Sequence, residues 1–142
     1  MFSGIDKFLK LLEAASDEQA RIAEFLRGSE LTMPLYHGSQ TEFTEFQRPA
    51  SGVFFSPHQD WASVYGPVIK TCYVWAPKVY QVSYCEPLGE AILDALFDRD
   101  YDALAKYVQQ LKAQGYYALQ TSTDSEMVCA FDNAKIYCPE AE

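Results

Sequence analysis

From Leu31 onward the apolar residues stop recurring at helical spacing and gather into short runs. That change of period limits the possible folds more than any other feature of the chain. Before it, Ile5, Phe8, Leu9 and Leu12 recur at i, i+3, i+4 and i+7, which predicts an amphipathic helix. Ser16 followed by Asp17, Glu18 and Gln19 has the form of a capping box opening a second helix. Ile22, Phe25 and Leu26 continue its apolar stripe, and Arg27 with Gly28 ends it. Residues 1–30 therefore read as a small N-terminal helical extension, and residues 31–142 as the main body of one compact domain.

Within that body, strands and helices alternate. Leu31–His37 is strand-like, with Pro34 confining it to a sheet edge or a strand start. Gly52–Phe55, Val68–Trp75, Val79–Tyr84, Tyr116–Thr121, Met127–Phe131 and Lys135–Cys138 are the other predicted strands. Ser56 as N-cap, Pro57 at the first helical position and Gln59 two residues later predict a helix running to Tyr65, where Gly66 and Pro67 stop it. Leu88–Phe97 and Tyr101–Gln114 read as helices, the second with Leu104, Val108 and Leu111 as its stripe and Gly115 as its end. No internal repeat interrupts this order. The expected class is α+β, a mixed β core with inserted helices, and 142 residues suffice to bury a core.

Charge and cysteine usage narrow the function classes. Twenty Asp and Glu against eleven Lys and Arg leave a net charge of −9. Such a surface repels phosphate backbones, which disfavours direct nucleic-acid binding while leaving room for one small phosphorylated ligand held by local donors. Cys72, Cys85, Cys129 and Cys138 form no C-x-x-C pair and have no His at ligand spacing, so no metal is expected. Two of them fall inside strand-like runs and read as buried apolar thiols. The first residues lack a basic stretch followed by an apolar one, and no window is long and apolar enough for a membrane span. The expectation is a cytoplasmic protein with reduced thiols, able to act inside a host cell.

Three places could carry chemistry. Tyr36-His37-Gly38-Ser39 ends the first strand, and Gly38 would let a ligand approach backbone N–H and C=O groups closely. Trp61 and Tyr65 are four apart on one helix and share a face, so they line a slot for a planar ring unless both are core packing. Glu126 stands between the polar turn Ser122–Ser125 and the apolar run after it, where its carboxylate either faces a cleft or is an ordinary turn residue. His58 falls in the first turn of its helix and is assigned no chemistry.

Taken together these motifs resemble the ADP-ribosyltransferases of the diphtheria-toxin and poly(ADP-ribose) polymerase branch, with their His–Tyr–Glu triad. The matching residues are Tyr36 to Ser39 at a strand end, Gly52 to Ser56 leading into a helix that ends at Tyr65, and Glu126 heading a late strand. The run Ser125–Asp132 is also similar to the ending of many small bacterial and phage transferases. The resemblance covers about Leu31 to Ile136 and leaves the first thirty residues outside it.

The resemblance implies NAD as co-substrate. His37 would hydrogen-bond a ribose hydroxyl, Gly38 would hold the nicotinamide carboxamide through its backbone, and Ser39 would reach the nicotinamide-side ribose. Tyr65 would stack on the nicotinamide ring, with Phe54 in the second aromatic position, and the cationic ring would be attracted to a π-face. Glu126 would bind the 2′-hydroxyl and stabilise the oxocarbenium-like state. In the polymerases a Ser three residues before the helix Tyr contacts nicotinamide; here that residue is Ala62, with Ser63 beside it. Asp124, two residues before Glu126, either orients a target nucleophile or forms the turn.

The resemblance thus implies a mono-ADP-ribosyltransferase acting on a target protein, of a size that suits a phage, toxin or effector setting. An NAD glycohydrolase of the same fold is the alternative within the family. From a different class comes a non-catalytic binding or inhibitor protein acting through its acidic surface. Retention of His37, Tyr65 and Glu126 together favours the enzymatic readings, and the low count of Arg and Lys near the motifs argues against a transferase that must hold an RNA phosphate.

Overall fold

The computed structural model describes residues 17–41, 46, 49–121 and 126–139. Residues 17–25 are helical (α1), with Ile22 and Phe25 half-buried and Leu26 buried, so the predicted stripe does face the protein. The helix expected over Ile5–Leu12 and Ser16 of the capping box lie outside the described residues. The chain beyond α1 is bound tightly to the body: Trp75 Nε1 donates to Arg27 O (2.9 Å), Ala76 N to Ser29 Oγ (3.0 Å) and Val79 N to Glu30 Oε1 (2.6 Å). Leu31, the first residue of the body, is 2% exposed inside the main core, so the N-terminal segment leads directly into that core.

Among the described residues, seven strands form two sheets. The first sheet has the order β1 (Leu35–Ser39), β3 (Val68–Trp75), β7 (Lys135–Tyr137), antiparallel throughout. The second has the order β2 (Val53–Phe55), β6 (Met127–Ala130), β5 (Ala118–Thr121), β4 (Val79–Gln81), in which only β4 and β5 run parallel. Two helices, α3 (Pro87–Phe97) and α4 (Tyr101–Ala113), connect β4 to β5, the helical crossover that a parallel pair requires. The fold is α+β, as expected.

Alternation along the strands decides where the two cores lie. Val79, Ala118, Val128 and Ala130 point toward the first sheet and pack with Leu35, Phe55, Cys72 and Val74. Tyr80, Leu119, Cys129 and Phe131 point the other way, onto Ile92 of α3 and Leu104, Val108 and Leu111 of α4. The second sheet is thus covered on both faces, which is why Met127–Phe131 reads as a continuous apolar run. Asp100 caps α4 by accepting from Ala103 N (3.1 Å).

Several boundaries differ from the sequence expectation. The first strand starts only at Leu35, after Pro34, at the edge of its sheet, and extends to Ser39. β4 ends at Gln81, and the chain turns at Tyr84 and Cys85 to enter α3. The largest difference is at Ser56. The expected helix from Ser56 to Tyr65 is only four residues long, α2 (Gln59–Ala62), tightening into a 3₁₀ turn over Ser63–Tyr65. Ser56 does not cap it: its backbone is bridged to Tyr36 in both directions (2.7 and 2.9 Å), and the helix starts only at Gln59. Its hydroxyl accepts instead from His58 N (3.0 Å), and His58 becomes the N-cap residue.

Candidate functional site

The Tyr36–Ser56 bridge is the point where the two sheets touch, and a cavity of about 350 Å³ opens beside it. Its volume falls in the range of small-ligand pockets, about 300–1,000 Å³. Tyr36 and Gly38 of β1 form one wall, and Phe54, Phe55 and Ser56 form the next. Trp61, Ala62, Val64 and Tyr65 close it from the α2 side, and Glu126 with Met127 stands at the head of β6.

The tight wall follows from two glycines. A Cβ on Gly38 would lie 1.8 Å from Ala62 O, and one on Gly66, whose φ is +152°, would lie 2.2 Å from Ser39 O. Only residues without a side chain allow β1 and the short helical segment to approach this closely. Gly38 is therefore needed for packing, whatever its backbone also offers a ligand.

The aromatic residues of that segment are not core. Tyr65 is 60% exposed and Trp61 41%, and both line the cavity although the helix tightens into a 3₁₀ turn between them. Gln40 Nε2 donates to Tyr65 O (3.2 Å) and ties the end of the turn to the chain after β1. Phe54 offers its ring from β2 and meets Tyr101 of α4 at 6.2 Å between centroids. Two exposed rings and a half-buried one around an open space form a surface for a flat, electron-poor ring.

Glu126 is the carboxylate of the cavity. Ser56 Oγ lies 3.5 Å from its backbone oxygen, and its side chain is half-exposed. Its Oε1 lies 3.5 Å from Nε2 of His58, whose ring packs edge-on against Trp61 at 4.5 Å. His58 is the neighbour of Glu126 that the sequence does not reveal. Its spacing within a short helix gives no sign of Glu126, which approaches from 68 positions away in the chain. Tyr36 was also missed as a lining residue, although the period of two places it on the face of Gly38.

His37 and Ser39 alternate with those two on β1 and are not among the lining residues. The His37 ring sits between Phe46 (5.0 Å, edge-on) and Phe55 (5.6 Å), with Nδ1 2.9 Å from Phe54 O. A carbonyl oxygen only accepts, so Nδ1 carries the proton, and in the neutral ring Nε2 is the acceptor. His37 is thus fixed to the cavity through the backbone of Phe54, whose side chain forms part of the wall. Ser39 Oγ donates to Thr41 O (2.9 Å) and accepts from Thr41 N (3.3 Å), shaping the turn after β1. Asp124 lies outside the described residues.

Gly38, Phe54, Tyr65 and Glu126 thus meet at one cavity, with His37 held behind its wall and Ser39 in the adjoining turn. No Lys or Arg is among the described lining residues. Among the described residues there is no group of three or more His, Cys, Asp or Glu side chains placed to hold a metal ion, and no helix is long and apolar enough to cross a membrane.

No family model matches the chain, and no curated protein matches it. A solved structure described as the crystal structure of an anti-CRISPR protein is similar over 75% of this chain and 95% of its own, at 15% identity and a TM-score of 0.45. At that level the likeness carries nothing about what this chain binds or acts on.

Proposed function

We propose that the protein is a mono-ADP-ribosyltransferase that cleaves NAD at the bond between nicotinamide and ribose and passes the ADP-ribose to a side chain of a target protein. The observation that carries the reading is the convergence of Glu126 with the exposed rings of Trp61 and Tyr65, and with Phe54 and Gly38, on one open cavity. In this reading the nicotinamide ring lies against Tyr65 and Phe54, with its carboxamide at the backbone of Gly38. The rings favour the cationic ring of NAD before cleavage, and nicotinamide leaves as the neutral base. Glu126 accepts a hydrogen bond from the 2′-hydroxyl and stabilises the positive charge that develops on the ribose as the bond lengthens. His37, held behind the wall with its Nδ1 on Phe54 O, acts in this reading by positioning Phe54 rather than by touching the ribose. The target's nucleophile then attacks the anomeric carbon and releases its proton.

NAD labelled on its adenosine, incubated with purified protein with and without a cell lysate, tests the proposal when free nicotinamide and protein-bound label are followed together. A labelled lysate protein, absent with Glu126→Gln, is the expected result. Nicotinamide release without protein label assigns water as the acceptor and makes the protein a glycohydrolase. Neither signal from a folded protein rejects both enzymatic readings and leaves the binding or inhibitor role.

A further inference from the structure

A second reactive place lies on the first sheet, away from the cavity. β3 and β7 pair with Tyr73 opposite Tyr137, so the next position along the ladder sets Cys72 against Cys138. Opposed residues of an antiparallel pair have Cα atoms about 4.5–5.5 Å apart, within the 4.4–6.8 Å that a disulfide spans. Cys72 is fully buried on the central strand, and Cys138 packs half-buried against the same core cluster. Cys72 Sγ lies 3.8 Å from Lys70 O, and the two thiols are close enough to perturb each other. Lys70, two residues before Cys72, shares its face of β3 and brings a positive charge to both sulfurs.

We propose that Cys72 and Cys138 form a dithiol redox site that closes into a disulfide strapping β7 to β3, with Cys138 as the attacking thiol and Cys72 as the resolving one. The division of labour follows from environment. Cys138 is only half-buried just after β7, whereas Cys72 is fully buried on the central strand. Its neighbours Cys72 and Lys70 hold the Cys138 thiol below its ordinary range against burial, and the adjacent Cys138, together with burial, pushes Cys72 up. Cys138 is also the sulfur a reagent can reach.

With glutathione disulfide as oxidant the steps balance. The Cys138 thiolate attacks one glutathione sulfur, forms a mixed disulfide and expels a glutathione thiolate. Cys72 then loses its proton to solvent or to that thiolate and attacks the Cys138 sulfur, expelling the second glutathione. Two protein thiols are oxidised and one glutathione disulfide is reduced to two thiols. Cys85 and Cys129 provide internal comparisons: Cys85 is exposed in the turn before α3, and Cys129 is fully buried with its Sγ donating to Ser51 O (3.0 Å).

The site is independent of the NAD reading, and so is its test. The purified chain is treated with glutathione disulfide, and the bonds are mapped by non-reducing peptide mass spectrometry. The expected product is an internal Cys72–Cys138 bond, with glutathione retained only on Cys85. In Cys72→Ser the glutathione should remain on Cys138, and in Cys138→Ser residue 72 should stay unmodified. Closing so long a loop should raise the melting temperature on the order of 10 °C. Glutathione persisting on Cys138 of the wild-type chain, an unreactive Cys138, or an internal bond formed by Cys85 instead would each overturn the proposal. The wild-type peptide map needs no variant, so it decides the matter even if Cys72→Ser misfolds.

Discussion

Replacing Gly38 by alanine tests whether the close approach of β1 to the short helical segment builds the cavity. The added methyl would lie 1.8 Å from Ala62 O, 2.8 Å from Ala62 C and 3.4 Å from Tyr65 Cβ. The first contact is roughly 1.5 Å short of ordinary van der Waals separation, about 3.5 Å. The obstacle is backbone, which cannot rotate aside, so the segment Gln59–Tyr65 must move away from β1 and carry Trp61 and Tyr65 with it. Forced packing of this kind costs about 1–3 kcal/mol, offset by about 0.4–1 kcal/mol because alanine restricts the unfolded chain. The melting temperature should therefore fall by roughly 2–8 °C at about 2–4 °C per kcal/mol. If the protein cleaves NAD as proposed, nicotinamide release should fall much further, about 100-fold, since a shift of about 1 Å in a positioning group has that effect. Thermal unfolding and an NAD consumption assay on the same sample separate the two. A Gly38→Ala protein with unchanged melting temperature and unchanged activity would refute the argument, because the strand and segment would then have slack that this geometry denies them.

The other predictions concern His58, Tyr80 and Glu30. His58→Phe keeps the ring against Trp61 but removes the nitrogen 3.5 Å from Glu126; on the proposed NAD reading, losing this half-exposed contact, worth about 0.2–1 kcal/mol, should lower turnover by at most about fivefold with little change in KM for NAD. His58→Gln, which restores a donor, should recover part of it, and steady-state kinetics on both variants decides. Tyr80 donates to Glu86 Oε2 (2.7 Å), and burial with that bond pushes its phenol up to about 12 from the usual 10. The folded state holds this proton more tightly, so the stabilisation is complete below about pH 10 and is lost as pH rises toward 12. Urea midpoints at rising pH should therefore fall faster for wild type than for Tyr80→Phe. Glu30→Ala leaves Val79 N–H without its acceptor and should cost about 1–2 kcal/mol by urea denaturation, while Glu30→Gln keeps most of the stability.

Much of the fold was legible because it is written in local periodicity. Val68–Trp75 has the predicted bounds, and Leu104, Val108 and Leu111 are buried as their spacing demands. These are properties of one segment's backbone, where side-chain direction repeats every 3.6 or 2 residues whatever lies beside it. The pairing of Trp61 with Tyr65 belongs to the same class, as does the placing of Glu126 at the head of β6. The sequence by itself thus determined the α+β class, most elements and the residue types of the cavity.

Long-range pairing decided the rest. The Tyr36–Ser56 bridge holds Ser56 extended, cuts the expected helix to a single turn with a 3₁₀ end, and makes His58 its N-cap. Only because β6 lies beside β2 does Glu126 come within reach of His58 and close the cavity opposite Tyr65. The ladder between β3 and β7 likewise brings Cys72 and Cys138 together across 66 positions of the chain. Such contacts depend on which strand edges meet, and a backbone hydrogen bond between distant residues leaves no mark in the side-chain pattern of either segment. The sequence therefore supplied the residue types of the cavity, and the sheet order chose which of them face one another.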